Sequence, residues 1–298
     1  MRALVTGANG VLGSRLVNRL LARGHTVVAS ARESAPRFPG LAQYISADLA
    51  DVAGMKRLVV EATPDVVLNA GAMTDVERCE GAPALAFGAN VLGPAALAEA
   101  TRESGALLVH LSTDYVFDGQ AGPYAENDIP NASGVYAVTK HMGEQAVRTL
   151  GGTWAIARTA VVYGWPPLSR PNFGAWLLQS LRERKPIKLF SDQFVSPTLA
   201  SNLADMVVEI AERRLDGMWN LAGAEVVDRV TFGRALALAF GLDDSVISPV
   251  RMADAGLKSP RPPKSGLKVD KARAELSAQP LTLREALLAF RAEVEGAP

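Results

Sequence analysis

The chain has 298 residues, 48% of them apolar, with 31 basic and 31 acidic side chains. That length and apolar content provide for one large α/β unit or two joined lobes around a buried core, and exclude a disordered chain. Zero net charge with dispersed basic residues lacks the electrostatic footprint of a nucleic-acid or anionic-membrane binder, so neither is expected as a partner.

The one cysteine, Cys79, rules out an intrachain disulfide, and three histidines leave little for a zinc site. A strand pattern begins at residue 2 without a basic-then-apolar leader, and no apolar run is long enough to span a bilayer. The expectation is a cytoplasmic, unexported protein.

Arg2 to Thr6 is a short apolar run stopped by glycines at 7, 10 and 13, after which Val11, Leu12, Leu16, Leu20 and Leu21 recur at helical spacing. Strand, tight turn and helix follow in that order. Glycine serves where the backbone bends sharply or approaches a pyrophosphate, and the helix N-terminus supplies amide donors and positive dipole. Gly7, Gly10, Val11, Leu12 and Gly13 are therefore candidates for a dinucleotide, against a plain strand–helix corner.

The second strand, Thr26 to Ser30, ends at Ser30, Ala31 and Arg32 where an NAD-selective site places an acid. This favours NADP, with Ser30 and Arg32 near a 2′-phosphate. Arg32 can also be read as a solvated loop residue, and Glu33 beside it works against the phosphate. Tyr44 to Leu49 reads as a third strand, whose Asp48 can accept from an adenine amino group or cap a helix; Leu49 adjoins it. Pro64 to Asn69 is a buried strand followed by small residues, so Asn69, Ala70 and Gly71 would lie beneath a nicotinamide ribose.

A helix over 83–103, a strand over 107–112, a helix over 136–150 and a strand over 153–162 continue the alternation. The pattern predicts a parallel, doubly wound Rossmann sheet with ligands outside the carboxyl ends of its strands, where Gly7, Asp48, Asn69 and Thr113 fall. Tyr136 and Lys140 are four apart, hence on one helix face. An ammonium there should bring a phenol pKa of about 10 down toward neutrality, where it can exchange a proton. A solvated helix face is the plainer reading.

From Tyr163 the texture changes. Gly164 to Pro171, Lys185-Pro186 and Ser259 to Pro263 are punctuated by proline and glycine. A helix over 199–213 and a strand over 217–221 return to the sheet. The expected division is a dinucleotide-binding unit of residues 1–162 with 188–222 returning to it, and a smaller discontinuous substrate lobe of residues 163–187 and 223–298.

Taken together, these motifs resemble the extended short-chain dehydrogenase/reductases, and among them the dTDP-4-dehydrorhamnose reductase family. The resemblance rests on Thr6-Gly-Ala-Asn-Gly-Val-Leu-Gly13, Asn69-Ala-Gly-Ala-Met-Thr74, Ser112-Thr-Asp-Tyr-Val-Phe-Asp-Gly119, Pro123-Tyr-Ala-Glu126, Tyr136-Ala-Val-Thr-Lys140, Gly143-Glu144, Arg158-Thr159, Tyr163-Gly164, Asp192-Gln193, Ser196-Pro197-Thr198 and Arg261-Pro262 with Ser265 and Leu267. It implies reduction by NADPH of the 4-keto group of a nucleotide-linked deoxysugar. Tyr136 would donate the proton, Lys140 would lower the phenol pKa and bind the nicotinamide ribose, and Thr113 would hydrogen-bond the carbonyl.

Two departures accompany it. Val161 stands where many such reductases carry a tryptophan, and Ser14-Arg15-Leu16 occupies the helix that in some members supplies a magnesium-binding glutamate, so no metal is expected. The substrate pocket is expected to gather Met73, Asp114, Asn172 and Gln193, with Arg261 reaching the diphosphate. Rival readings are a non-catalytic partner resembling the methionine adenosyltransferase β subunit, and a nucleotide-sugar epimerase or dehydratase. Nucleotide, sugar and a homodimer are left open.

Overall fold

The computed structural model describes residues 1–165 and 172–296. In chain order its strands are β1 (Arg2–Thr6), β2 (Thr26–Ala31), β3 (Gln43–Ser46), β4 (Val66–Asn69), β5 (Leu107–Thr113), β6 (Trp154–Thr159), β7 (Val162–Tyr163), β8 (Ile187–Phe190), β9 (Phe194–Val195), β10 (Thr198–Leu199), β11 (Gly217–Asn220), β12 (Val227–Asp228) and β13 (Ile247–Val250). The helices are α1 (Val11–Ala22), α2 (Val52–Ala62), α3 (Val76–Gly81), α4 (Pro83–Phe87), α5 (Gly93–Ser104), α6 (Val135–Leu150), α7 (Phe173–Arg182), α8 (Ala200–Glu212), α9 (Arg229–Phe240), α10 (Asp270–Glu275) and α11 (Leu283–Glu295).

Seven parallel strands pair in the order β11-β6-β5-β4-β1-β2-β3. β4 and β5 are buried along their whole length, which is why they read as unbroken apolar runs instead of alternating ones. Leu16 and Leu20 of α1 share one face of the sheet with Leu203 and Val207 of α8. Met55 and Leu58 of α2, Leu97 of α5 and Val147 of α6 cover the other. Strand order reverses between β1 and β4, and the carboxyl ends there open the crevice in which such sheets bind ligands.

Three elements differ from the sequence reading. The long helix over 83–103 is α4, a π turn at Gly88–Leu92, and α5. The third strand stops at Ser46, because Asp48 accepts from the Ala50 amide at 2.9 Å and turns the chain toward α2. The strand over 153–162 breaks after Thr159, where Val161 adopts φ +44° before β7 pairs with β10.

The second lobe has its own core of Tyr163, Leu177, Leu189, Phe232 and Phe290. Around it β8 pairs with β13 and β9 with β12. Of residues 188–222, α8 and β11 rejoin the sheet, while Leu189 on β8 packs into the second core. Ala272 and Leu276, far along the chain, come back to the first core. Residues 166–171 of the proline-rich stretch lie outside the described residues. Among the described residues no helix is long and apolar enough to cross a membrane.

Candidate active site

The glycine turn exists because three backbones meet there. Gly7 has φ +66°, and a Cβ on it would lie 2.6 Å from the Gly71 Cα; one on Gly13 would lie 2.1 Å from the Gly7 carbonyl oxygen. The Gly10 amide donates to the Gly7 carbonyl at 2.9 Å, and Gly10 brings no side chain to cap α1. The first-turn amides of Val11, Leu12 and Gly13 are thus available to an anion. Gly71 closes the floor from below, with a Cβ there only 2.7 Å from Leu49 Cδ1. Ala70, whose amide reaches the Thr6 carbonyl at 3.2 Å, precedes it.

At the end of β2, Ser30 is buried and its carbonyl accepts from the Ala8 amide at 3.0 Å. Arg32 is exposed at the rim. Glu33 next to it accepts from Asn9 Nδ2 at 3.0 Å, and that hydrogen bond leads the causes that lower its pKa, with Arg37 and Arg32 adding smaller pulls. Asn69 points into the sheet ends, not out of them: its Oδ1 accepts from Thr6 Oγ1 at 2.7 Å and its Nδ2 meets His110 Nδ1 at 3.0 Å. Burial drives the His110 pKa well below the ordinary value, so the ring is neutral and Nδ1 is the acceptor.

Thr113 ends β5, Tyr136 lies in the first turn of α6, and Lys140 lies one turn on. Tyr136 is 9% exposed and Lys140 2%. Tyr115 sets its ring edge-on to Tyr136, centroids 5.8 Å apart. The expected fall in the phenol pKa does not occur in this arrangement. Burial pushes Tyr136 up, the Thr113 hydroxyl opposes this, and the Asp114 charge adds to the rise. Lys140 donates instead to the Leu111 carbonyl at 2.6 Å, and burial lowers its own pKa to about 8 against the pull of Glu144.

Asn90, on the π turn, fixes α6 in place. It accepts from the Met73 amide at 2.8 Å and donates to the Met73 carbonyl at 3.1 Å and Thr139 Oγ1 at 3.2 Å. Gly143 must be glycine for α6 to come this close, since a Cβ would lie 2.2 Å from the Asn90 carbonyl oxygen. Sequence reasoning passed over Asn90; the glycines at 88 and 93, bracketing it in an otherwise helical run, are the signal that was there.

On the side facing the second lobe, Asp114 is 2% exposed and takes the Thr113 hydroxyl on Oδ1 at 3.0 Å and the Ser265 hydroxyl on Oδ2. Burial raises its pKa to about 6, the two hydroxyls opposing. Gln193, also buried, donates to the Tyr115 hydroxyl at 3.2 Å and accepts from Arg229 Nε at 3.0 Å. Met73 packs beside Tyr136 and Cys79. Met73 therefore lies beside Tyr136 and Asp114 beside Thr113, and Gln193 joins them through Tyr115. Asn172 is taken up elsewhere, its Oδ1 capping α7 at the Ala175 amide (3.1 Å) and its Nδ2 donating to the Gly164 carbonyl (2.8 Å). Arg261 is paired with Glu77 at 2.9 Å. Arg229 was not among the sequence candidates.

Several of the most distinctive motifs form a clasp behind the site. Arg158 grips Glu144 through two hydrogen bonds of 2.9 and 2.8 Å, donates to the Glu126 carbonyl at 3.2 Å and stacks over Phe117. Burial works to raise the Glu144 pKa, yet Arg158 brings it down to about 2. Phe117 stacks on Tyr124 at 4.1 Å, the Tyr124 hydroxyl donates to Asp118, and Glu126 accepts from the Asn220 amide. Arg15 donates to Ser14 Oγ and the Trp165 carbonyl near Glu293. No group of three or more His, Cys, Asp or Glu that could hold a metal gathers among the described residues.

Comparison with known proteins places this geometry among relatives. The model of a family described as the RmlD substrate binding domain matches residues 1–295. A Haloferax volcanii protein named "probable low-salt glycan biosynthesis reductase Agl14" is 34% identical over 295 residues, covering 98% of both chains. Methionine adenosyltransferase 2 subunit beta of Xenopus tropicalis is 30% identical over 268 residues, 88% of this chain and 78% of that one. Among solved structures, dTDP-4-dehydrorhamnose reductase from Bacillus anthracis in complex with NADP superposes with a TM-score of 0.87 at 26% identity, covering 98% of this chain and 99% of that one.

Proposed function

The chain belongs to the RmlD substrate binding domain family, and from that premise we propose that it is an NADPH-dependent reductase of the 4-keto group of a nucleotide-linked deoxysugar. The class is an NADP-dependent oxidoreductase of the short-chain type acting on nucleotide sugars. The observation that carries the finer reading is the hydrogen bond between the Thr113 hydroxyl, at the carboxyl end of β5, and Tyr136 on α6, with Lys140 one helical turn on. The α1 amides, the Gly7–Gly71 contact and the rim arginine Arg32 suit a dinucleotide with a 2′-phosphate. When bound, NADPH supplies the hydride.

The raised pKa of Tyr136 fits a donor, because the phenol keeps its proton at neutral pH until a carbonyl oxygen beside it gains negative charge. Lys140, one turn away, supplies positive charge near the phenolate left behind. Thr113 orients the carbonyl by turning its O–H from Asp114 Oδ1 to the carbonyl oxygen. Met73 and Gln193 line the sugar side. Positioning of this kind removes much of the entropic barrier to a two-molecule reaction.

A regulatory, non-catalytic role is the second reading, motivated by the likeness to the adenosyltransferase subunit. The filled hydroxyl–tyrosine–lysine set favours catalysis. The test is NADPH oxidation by the purified protein against dTDP-, UDP- and GDP-linked 4-keto sugars, with Tyr136→Phe alongside. Turnover by the unaltered protein, lost in Tyr136→Phe with NADPH binding kept, is the expected result; equal turnover in the variant would remove Tyr136 as the acid.

A further inference from the structure

Arg229 and Arg261 are close enough to repel one another, yet their surroundings differ. Arg261 is neutralised by Glu77 at 2.9 Å. Arg229 has no carboxylate within ion-pair distance among the described residues. Its Nε goes to the neutral Gln193 carboxamide, its guanidinium lies 4.7 Å from the centre of the Phe173 ring, and the Tyr115 hydroxyl is its other near partner. The Asp114 charge reaches Arg229, but both Asp114 oxygens are occupied by the Thr113 and Ser265 hydroxyls. A half-buried guanidinium held over an aromatic face and left without a counter-ion is costly unless an anion completes it.

The position sharpens the point. Tyr115 touches Arg229 on one side and lays its ring against Tyr136 on the other. Arg229 thus stands one side chain away from the group proposed to carry the proton, at the mouth between the two lobes.

We infer that Arg229, and not Arg261, is the residue that receives the substrate's diphosphate, its Nη N–H groups binding phosphate oxygens while Gln193 and Phe173 hold it in place. Resting on the reductase reading above, this makes Arg229 the residue that selects an activated, diphosphate-linked sugar over a free one. Arg261 then acts as a strap, tying the segment around Pro262 to α3 through Glu77.

The experiment titrates the protein, saturated with NADPH, with dTDP, UDP, GDP, thymidine and inorganic pyrophosphate by calorimetry. In Arg229→Gln the affinity for a nucleoside diphosphate should fall about 10- to 100-fold, the loss of charge-assisted hydrogen bonds, while thymidine binding stays within about twofold. Arg229→Lys, which keeps charge but not the fork, should recover only part of the loss, and it decides the matter if the glutamine variant does not fold. Arg261→Gln should leave diphosphate affinity within about threefold. An unchanged affinity in Arg229→Gln, a loss confined to Arg261→Gln, or no diphosphate bound by NADPH-saturated wild-type protein would each overturn the inference and leave the reductase reading standing. Failure of the wild-type protein to bind NADPH would instead remove both.

Discussion

Lys140 carries a positive charge into an interior that offers it, among the described residues, a single hydrogen-bond partner, the Leu111 carbonyl. Its pKa in the folded chain, about 8, lies below the ordinary 10.5, so the charged form is the one that folding disfavours. The sign follows from proton counting. Below pH about 8 the folded and unfolded states both hold the proton and the penalty is complete; between about 8 and 10.5 only the unfolded state holds it, and stability recovers as pH rises. Lys140→Met, of similar length and without charge, should therefore melt higher than wild type at pH 7, and the gap should shrink toward pH 10. The same variant should lose turnover and bind NADPH more weakly. A melting temperature unchanged or lowered at pH 7 would show that the buried ammonium is not a cost. Asp114 behaves in the opposite pH range: with its pKa raised to about 6 from 3.8, its penalty is complete above pH 6 and gone below 3.8. Asp114→Asn should flatten the part of the stability curve that falls between those values, measured by urea unfolding across pH.

Elements were legible in the sequence where their causes are local. The strand, glycine turn and α1 could be read because Gly10 and Gly13 both meet the Gly7 carbonyl within one supersecondary unit, and the Tyr136–Lys140 spacing because a helix alone puts both on one face. Arg229 was not legible, since its meaning lies in Gln193, 36 residues away, and in Asp114 and Tyr115 still farther along the chain. Asn172, expected in the substrate pocket, serves the fold as the N-cap of α7, its Oδ1 accepting from the Ala175 amide three residues on. The motif residues Glu144 and Arg158 pointed to the right family but serve as a clasp between β6 and α6. Breaking that pair with Glu144→Gln should cost about 3–5 kcal/mol, because Arg158 is left buried without its counter-charge. With Glu144 held at about 2 in the folded state against 4.5, its contribution is present above pH 4.5 and lost as pH falls toward 2, so the variant and wild type should converge in acid. Val161, at φ +44°, is a β-branched residue in the left-handed region, and Val161→Asn should raise the unfolding free energy by about 1 kcal/mol, seen as a higher midpoint. A lower midpoint would mean that its side-chain contacts outweigh the backbone strain.

At the scale of the whole molecule, the chain passes between its two lobes more than once. β7 pairs with β10 at the junction, α8 and β11 return to the sheet after β8 has entered the second lobe, and Ala272 and Leu276 return again before α11 closes the second core. α11 adds a direct link. Its Glu293 accepts from Ser201 on α8 and from the Trp165 amide, while Phe290 on the same helix is fully buried against Tyr163 and Phe240. Lobes threaded this way cannot unfold one at a time without exposing apolar surface of the other, so the molecule should melt in a single transition. Phe290→Ala, which empties a fully buried aromatic site in the second core, should cost about 3–5 kcal/mol and move the whole transition downward without splitting it. Calorimetry, with far-UV and near-UV circular dichroism followed in parallel, provides the check. Coincident curves in both proteins are expected. A variant whose second lobe melted first, leaving the NADPH-binding sheet intact at a higher temperature, would show that the crossings leave the lobes independent, and that Arg229 and Gln193 can detach from Tyr115 without disturbing the cofactor crevice.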